Sequence, residues 1–155
     1  MDEKVHRIVG LVGLPASGKS SLLTDYVNQG FMAFDDIGAQ GSWHEHPVTI
    51  RHAARTNDVI MSDVLFCCRT SEEAATAALA GLKVPGFKGR DEFEKEVGQP
   101  IEWICFENNA AQCVKNCLHL ATTMERNLVF EKWLIGVLTA VYHPPETPLP
   151  VLAID

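Results

Sequence analysis

What the chain has little of narrows its function first. None of its apolar runs reaches the ~20 residues that a membrane-spanning helix needs. Positive charge is scarce: 13 Lys and Arg stand against 20 Asp and Glu, for a formal net charge of −7. A broad nucleic-acid surface is built on a basic stripe. Here the arginines are scattered, and the one short basic cluster is Lys83, Lys88 and Arg90. A broad nucleic-acid partner is therefore not expected, whereas a small anionic substrate in a local pocket suits an acidic exterior. There is no C-x-x-C pair, so a zinc or dithiol site is not expected. Of the 5 cysteines, Cys67 and Cys68 are adjacent, a placement that rarely bridges. Cys105 lies in an apolar run, and Cys113 and Cys117 stand one helical turn apart. All read as small buried hydrophobes in a reducing compartment. Internal repeats and low-complexity segments are also missing. The opening Met-Asp-Glu-Lys-Val-His-Arg has no apolar secretion core, so a cytoplasmic location is expected.

What is present is the patterning of an α/β protein. The 155 residues, 46% hydrophobic, suit one domain spanning 1–155 with a sizeable core. Short apolar runs alternate with longer amphipathic ones, which predicts a parallel sheet covered by helices. Strands are expected at Arg7–Val12, Phe31–Phe34, Asp58–Ser62, Ile101–Phe106 and Pro150–Ile154. Helices are expected at Lys19–Asn28, Val48–Ala54, Ser71–Ala80, Asp91–Glu96, Asn109–Ala121 and Leu128–Tyr142. Gly30 is placed to end the first helix next to Gln29, and Ser71 to cap the third. The Gly81–Pro100 stretch, rich in Gly and mixed charge, reads as a loop projecting from the sheet or as a peripheral cover. Pro144, Pro145, Pro148 and Pro150 stiffen the passage into the last strand, as a connector or as one wall of a base-binding pocket.

The densest signal is IVGLVGLPASGKSSLL, Ile8 to Leu23. Gly13 to Ser20 fits G-x-x-x-x-G-K-[ST], the P-loop pattern, between a strand and a helix start. In that pattern the backbone N–H groups of Gly13, Leu14, Pro15, Ala16, Ser17, Gly18, Lys19, Ser20 and Ser21 (Pro15 excepted, having none) wrap phosphate oxygens. The glycines allow positive φ or close ligand approach. Lys19 would reach the β- and γ-phosphates and the Ser20 hydroxyl would hold Mg²⁺. The helix that follows points its positive end at the same phosphates.

Two acidic sites end strands and so share the loop's edge of a parallel sheet. Asp35 and Asp36 follow the second strand; Asp63 ends the third. Phosphoryl transfer needs one carboxylate for the metal and another to take a hydroxyl proton. Asp63, after an apolar run, is assigned to the metal, and Asp35 or Asp36 to the general base. The alternative for each is a cap or turn residue. Arg126, between two helices, is the candidate to neutralise the transferred phosphoryl from a short lid. Arg51 and Arg55, at i, i+4, are candidates for acceptor binding or a solvated face. His44-Glu-His46 is too small a set for a metal site and reads as solvated loop. Trp43, Trp103 and Trp133 read as core or pocket wall.

These residues resemble a known group. Gly-Leu-Pro-Ala-Ser-Gly-Lys-Ser-Ser, Phe-Asp-Asp and the apolar strand ending Ser-Asp63 look like the small P-loop kinases related to polynucleotide kinase, zeta toxins and gluconate or adenylylsulfate kinases. Ile-Glu-Trp-Ile-Cys-Phe-Glu-Asn-Asn, followed by a helix with Cys113-Val-Lys-Asn116, looks like that group's fourth strand and pre-lid helix. The resemblance implies a three-layer P-loop NTPase fold with a five-stranded parallel sheet of order 2-3-1-4-5. It also implies ATP with Mg²⁺ as donor, an aspartate after the second strand as base, and lid arginines. The chain departs from the group in its short lid with one arginine, and Ile37 to Asn57 matches no member's acceptor segment. The function expected is an ATP-dependent kinase acting on a hydroxyl of a small-molecule acceptor. The alternative is a non-catalytic ATP-binding module that works through protein contacts. A GTPase is disfavoured, because Asn108-Asn109-Ala-Ala lacks the lysine and aspartate of a guanine reader and Asp63-Val-Leu-Phe lacks the D-x-x-G glycine.

Overall fold

The structure is a computed structural model that describes residues 5–39, 42–82, 86–124 and 126–154. Lys83 of the basic cluster and the first four residues lie outside them. Four strands, β1 (Ile8–Val12), β2 (Met32–Asp35), β3 (Val59–Ser62) and β4 (Glu102–Cys105), form one parallel sheet of order β2-β3-β1-β4. The register sets Leu11 beside Ser62, Asp35 beside Ser62, and Val12 beside Cys105. Central strands β1 and β3 are buried throughout, as continuous apolar runs in a parallel sheet should be.

Helices cover both faces. Along β1 the side chains alternate. Val9 and Leu11, with Ile60 of β3, pack against Leu22, Leu23 and Tyr26 of α1 (Lys19–Asn28). Ile8 and Val12, with Val59 and Met61, face the larger core. That core is closed by α2 (His46–Ala53), α3 (Ser71–Leu79), α4 (Arg90–Val97), α5 (Ala110–Ala121) and α6 (Leu128–Thr139). Gly10 on that face exists because the Trp103 ring lies on it. A Cβ there would sit 2.3 Å from Trp103 Cζ3.

Helix ends follow local chemistry. Gly30, φ +99°, follows the α1 cap at Gln29 and takes the left-handed turn that glycine makes cheaply. The α3 cap is Thr70 and not the expected Ser71. Its hydroxyl accepts from Glu73 N, and Glu73 accepts from Thr70 N in return, a reciprocal capping box. Two 3₁₀ turns, Ile37–Ala39 and Val64–Cys67, follow β2 and β3.

One expectation needs correction, and one alternative is decided. The fifth strand is reduced to a single parallel bridge, Phe106 to Leu149. Pro148 and Pro150 flank that residue and have no N–H to extend a ladder. The next amide, Val151 N, is taken instead by Glu107 Oε1 at 2.9 Å. The described part of the Gly81–Pro100 stretch takes the second of its two readings, a peripheral cover: it carries the helix expected at Asp91–Glu96, as α4, whose Phe93 and Val97 are buried, along with Phe87 before it. Among the described residues no helix is long and apolar enough to cross a membrane.

Candidate functional site

At the carboxyl edge of the sheet, β1 runs into the Gly13–Gly18 loop, which turns on itself tightly. Ser17 N donates to Leu14 O at 3.2 Å. Ala16 has φ +63° and Gly18 φ +115°, both left-handed. A Cβ on Gly13 would meet Ser17 Oγ at 2.4 Å, and one on Gly18 would meet the Phe106 ring at 3.2 Å. Phe106, one residue past β4, is thus the floor under the loop. No sequence pattern marks it, since its role depends on β1 and β4 being neighbours.

The loop opens directly into α1. Gly18 is the cap residue and offers no side chain to the first-turn amides, and no acidic residue stands in that turn. Ser20 and Ser21 are exposed there. A helix start left this way keeps its partial positive charge for an anion.

Lys19 is half-buried and folds back over the loop. Its Nζ donates to Gly13 O at 2.6 Å and Leu14 O at 2.7 Å, with Ser17 Oγ at 3.4 Å. Burial pushes its ammonium below the ordinary lysine range, while nearby Asp63 and Asp35 oppose the shift.

Asp63 closes the site from β3. It is 3% exposed, and both of its oxygens are bound by backbone amides. Leu65 N donates to Oδ1 at 2.8 Å and Gly38 N to Oδ2 at 2.6 Å. Asp63 therefore caps the Val64–Cys67 turn and also ties the segment after β2 to β3. Burial raises its carboxyl to about 6 despite the two amides. Gly38 is required by this contact. A Cβ would lie 2.6 Å from Asp63 Oδ2 and 2.8 Å from Trp43 Cζ2. Sequence reading passed over Gly38, which sits in a stretch with no periodicity.

Asp35 and Asp36 are exposed at the end of β2. Asp36 adopts φ +51°, and its carbonyl accepts from Ala39 N at 3.1 Å. Asp35 acts electrostatically on Lys19, and Asp36 on Asp63. Lys19, Asp35, Asp36 and Asp63 are thus gathered at one edge.

The arginines are placed otherwise. Arg126 spends Nε and Nη2 on both oxygens of Glu131 in a two-pronged pair. That pair anchors the α5–α6 connection to α6. Arg51 donates to Glu96 O of α4 at 3.3 Å. Arg55 lies beyond the end of α2, so the two do not share a helix face as expected. Trp43 is buried and Trp103 half-buried, but Trp133 is 40% exposed, which removes the core half of its reading as core or pocket wall. His46 packs on Trp43 at 5.1 Å between ring centres. All five cysteines are free and buried, and burial raises the thiols of Cys67 and Cys68 to about 12.

Two oxygens from the chain suit Mg²⁺ here: the exposed Ser20 hydroxyl and Asp63. Mg²⁺ commonly takes one or two protein oxygens, the rest coming from phosphate and water. Each Asp63 oxygen accepts a single N–H and keeps a lone pair, so the donor set fits. Among the described residues no group of three or more His, Cys, Asp and Glu is arranged to hold a metal by itself. Compared with protein-family models and with curated proteins, the chain matches none.

Proposed function

We propose that the chain is an ATP-dependent kinase of the small P-loop type. It would bind ATP with Mg²⁺ at Gly13–Ser21 and pass the γ-phosphoryl to a hydroxyl of a small-molecule acceptor. One observation carries the reading. A lysine, an uncapped helix start and three carboxylates converge on one sheet edge, against a glycine loop whose backbone is left-handed at Ala16 and Gly18. That is the equipment for holding a polyphosphate while polarising it.

The residues divide the work by their surroundings. Lys19 exchanges the carbonyls of Gly13 and Leu14 for phosphate oxygens, trading neutral partners for charged ones. Mg²⁺, when bound, offsets the negative charge on the phosphates. Ser20 and Asp63 are the residues to hold it. Asp63, fixed by two amides and ionised above pH about 6, suits a role that needs rigidity. Asp35 is exposed and close to Lys19, and so suits a base that takes the acceptor's hydroxyl proton; Asp36, in its tight turn, is the second candidate. To serve the transferred phosphoryl with Nε and Nη2, Arg126 would have to leave Glu131. That requirement supports a slow enzyme, or one that needs its acceptor to close.

The test is ATP turnover by the purified protein, with and without a panel of hydroxylated metabolites. Acceptor-dependent ADP release that is lost in both Asp35→Asn and Asp36→Asn, or in one of them, is the expected result. ATP binding without turnover under any condition would replace the kinase with a non-catalytic nucleotide-binding module. No ATP binding would end both readings.

A further inference from the structure

Asn116 of α5 is 2% exposed and uses every hydrogen-bonding position it has. Its Nδ2 donates to Ala16 O at 3.0 Å and to Leu152 O at 2.9 Å. Its Oδ1 accepts from Gln112 Nε2 at 2.9 Å and from Ile154 N at 3.2 Å. One amide thus joins the glycine loop, α5 and the 151–154 segment.

Both ends need such a hold. Ala16 is an L-residue at φ +63°. That conformation costs about 1 kcal/mol or more and persists where surroundings over-determine it. The bond from Nδ2 fixes the Ala16 carbonyl and so turns the next N–H, that of Ser17, inward to Leu14 O. The 151–154 segment forms no strand, because Pro150 cannot donate. Besides the buried Val151 side chain, three hydrogen bonds to side chains hold it: Val151 N donates to Glu107 Oε1, Ile154 N donates to Asn116 Oδ1, and Leu152 O accepts from Asn116 Nδ2.

We propose that Asn116 is a positioning residue that couples the Gly13–Gly18 loop to the 151–154 segment, so that the two order or loosen together. Resting on the reading of the loop as a phosphate site, the coupling also tightens ATP binding when the segment is docked. Linkage makes this reciprocal: ATP at the loop protects the Ile154 amide.

Hydrogen exchange of the full chain, with and without ATP·Mg²⁺, tests the coupling, and calorimetry tests the affinity. Asn116→Asp keeps the shape and the acceptors for Gln112 and Ile154. It sets a carboxylate oxygen against the Ala16 and Leu152 carbonyls. Stranding buried partners this way is expected to speed exchange at the loop and to weaken ATP binding by about 10-fold or more. The α3 amides should keep their protection. Ile154→Pro, at an exposed position that removes one N–H, should loosen the loop in the same direction by a smaller factor and leave the core intact. Gln112→Ala keeps the bonds to Ala16 and Leu152 and should leave the loop close to unmodified. Loop exchange unchanged in both Asn116→Asp and Ile154→Pro overturns the coupling. If Asn116→Asp also strips α3 of protection, Ile154→Pro alone decides. Failure of the unmodified protein to bind ATP sinks the phosphate reading and the affinity claim, while exchange still judges the coupling.

Discussion

The two edges of the sheet handle polar groups in opposite ways. At the amino edge, Arg7 donates Nε and Nη2 to the two oxygens of Glu102, each at 2.8 Å, and its N–H to Asp58 at 2.8 Å. Arg7 and Glu102 are about half exposed. At the carboxyl edge, Ser17, Ser62, Asp63 and Asn116 are buried, and Ala16 and Asp36 hold left-handed backbone. Solvated pairs cost little and contribute little. Buried polar groups and strained turns cost stability, and they persist where the arrangement serves binding or chemistry. The difference is the one the proposed function calls for, with the carboxyl edge as the site, and each edge should respond to its own perturbations.

The largest effect is expected at Lys19. Lys19→Met keeps the stem and removes the charge. ATP affinity should fall by about 100-fold, the scale of losing charge-assisted bonds to phosphate. Stability should change far less. A lysine whose folded pKa lies below its unfolded value opposes folding as long as pH is below that unfolded value, which offsets the loss of its bonds to the Gly13 and Leu14 carbonyls. The urea midpoint of Lys19→Met should therefore stay close to that of the unmodified protein. A parallel loss of stability and binding would erase the contrast between the edges.

Asp63 comes next, through pH. Its folded carboxyl, at about 6 against an ordinary 3.8, binds a proton more readily than in the unfolded chain. Its contribution is therefore full below the unfolded value and is lost as pH rises through about 6. The span corresponds to about 3 kcal/mol. The stability difference between the unmodified protein and Asp63→Asn should shrink or reverse from pH 4 to pH 7. A difference flat across that window would mean the buried carboxylate is not penalised. Gly38→Ala attacks the same contact sterically. With a Cβ 2.6 Å from a carboxylate oxygen and 2.8 Å from a buried ring, about 1–3 kcal/mol should be lost in thermal or urea unfolding. Unchanged stability would show that this edge yields freely.

How much of this could be read from the sequence depends on whether a feature was local. The strands, the α1 bounds and the Gly13–Ser20 pattern are local periodicities, and Lys19–Asn28 has the expected ends. The strand expected at Pro150–Ile154 failed because apolar residues alone do not pair; amides do, and the prolines remove them. Arg126 was legible as a loop arginine but not as Glu131's partner, since the two stand five positions apart across a helix cap. Gly38 beside Asp63, Phe106 beneath the loop and Asn116 behind Ala16 are 25 or more residues from what they touch. Only the strand order brings them together, and that order rested on resemblance.

The smallest effect belongs to the amino edge, and its sign is what matters. The hydrogen bond from Arg7 holds the Glu102 carboxyl below the usual range. A carboxylate lowered on folding contributes stability above its unfolded pKa and loses it as pH falls, the reverse of Asp63. Both partners are about half in water, so the pair should be worth about 0.2–1 kcal/mol. The Arg7 guanidinium also lies 5.3 Å over the Phe31 ring, so Arg7→Ala mixes lost packing with lost charge. Glu102→Gln isolates the charge. At pH 7 it should cost a few tenths of a kcal/mol, with the cost falling toward zero by pH 3 and in high salt. Measured beside Asp63→Asn in the same buffers, the two stability differences should run in opposite directions with pH. Slopes of the same sign would mean that the two edges do not differ in how they carry charge.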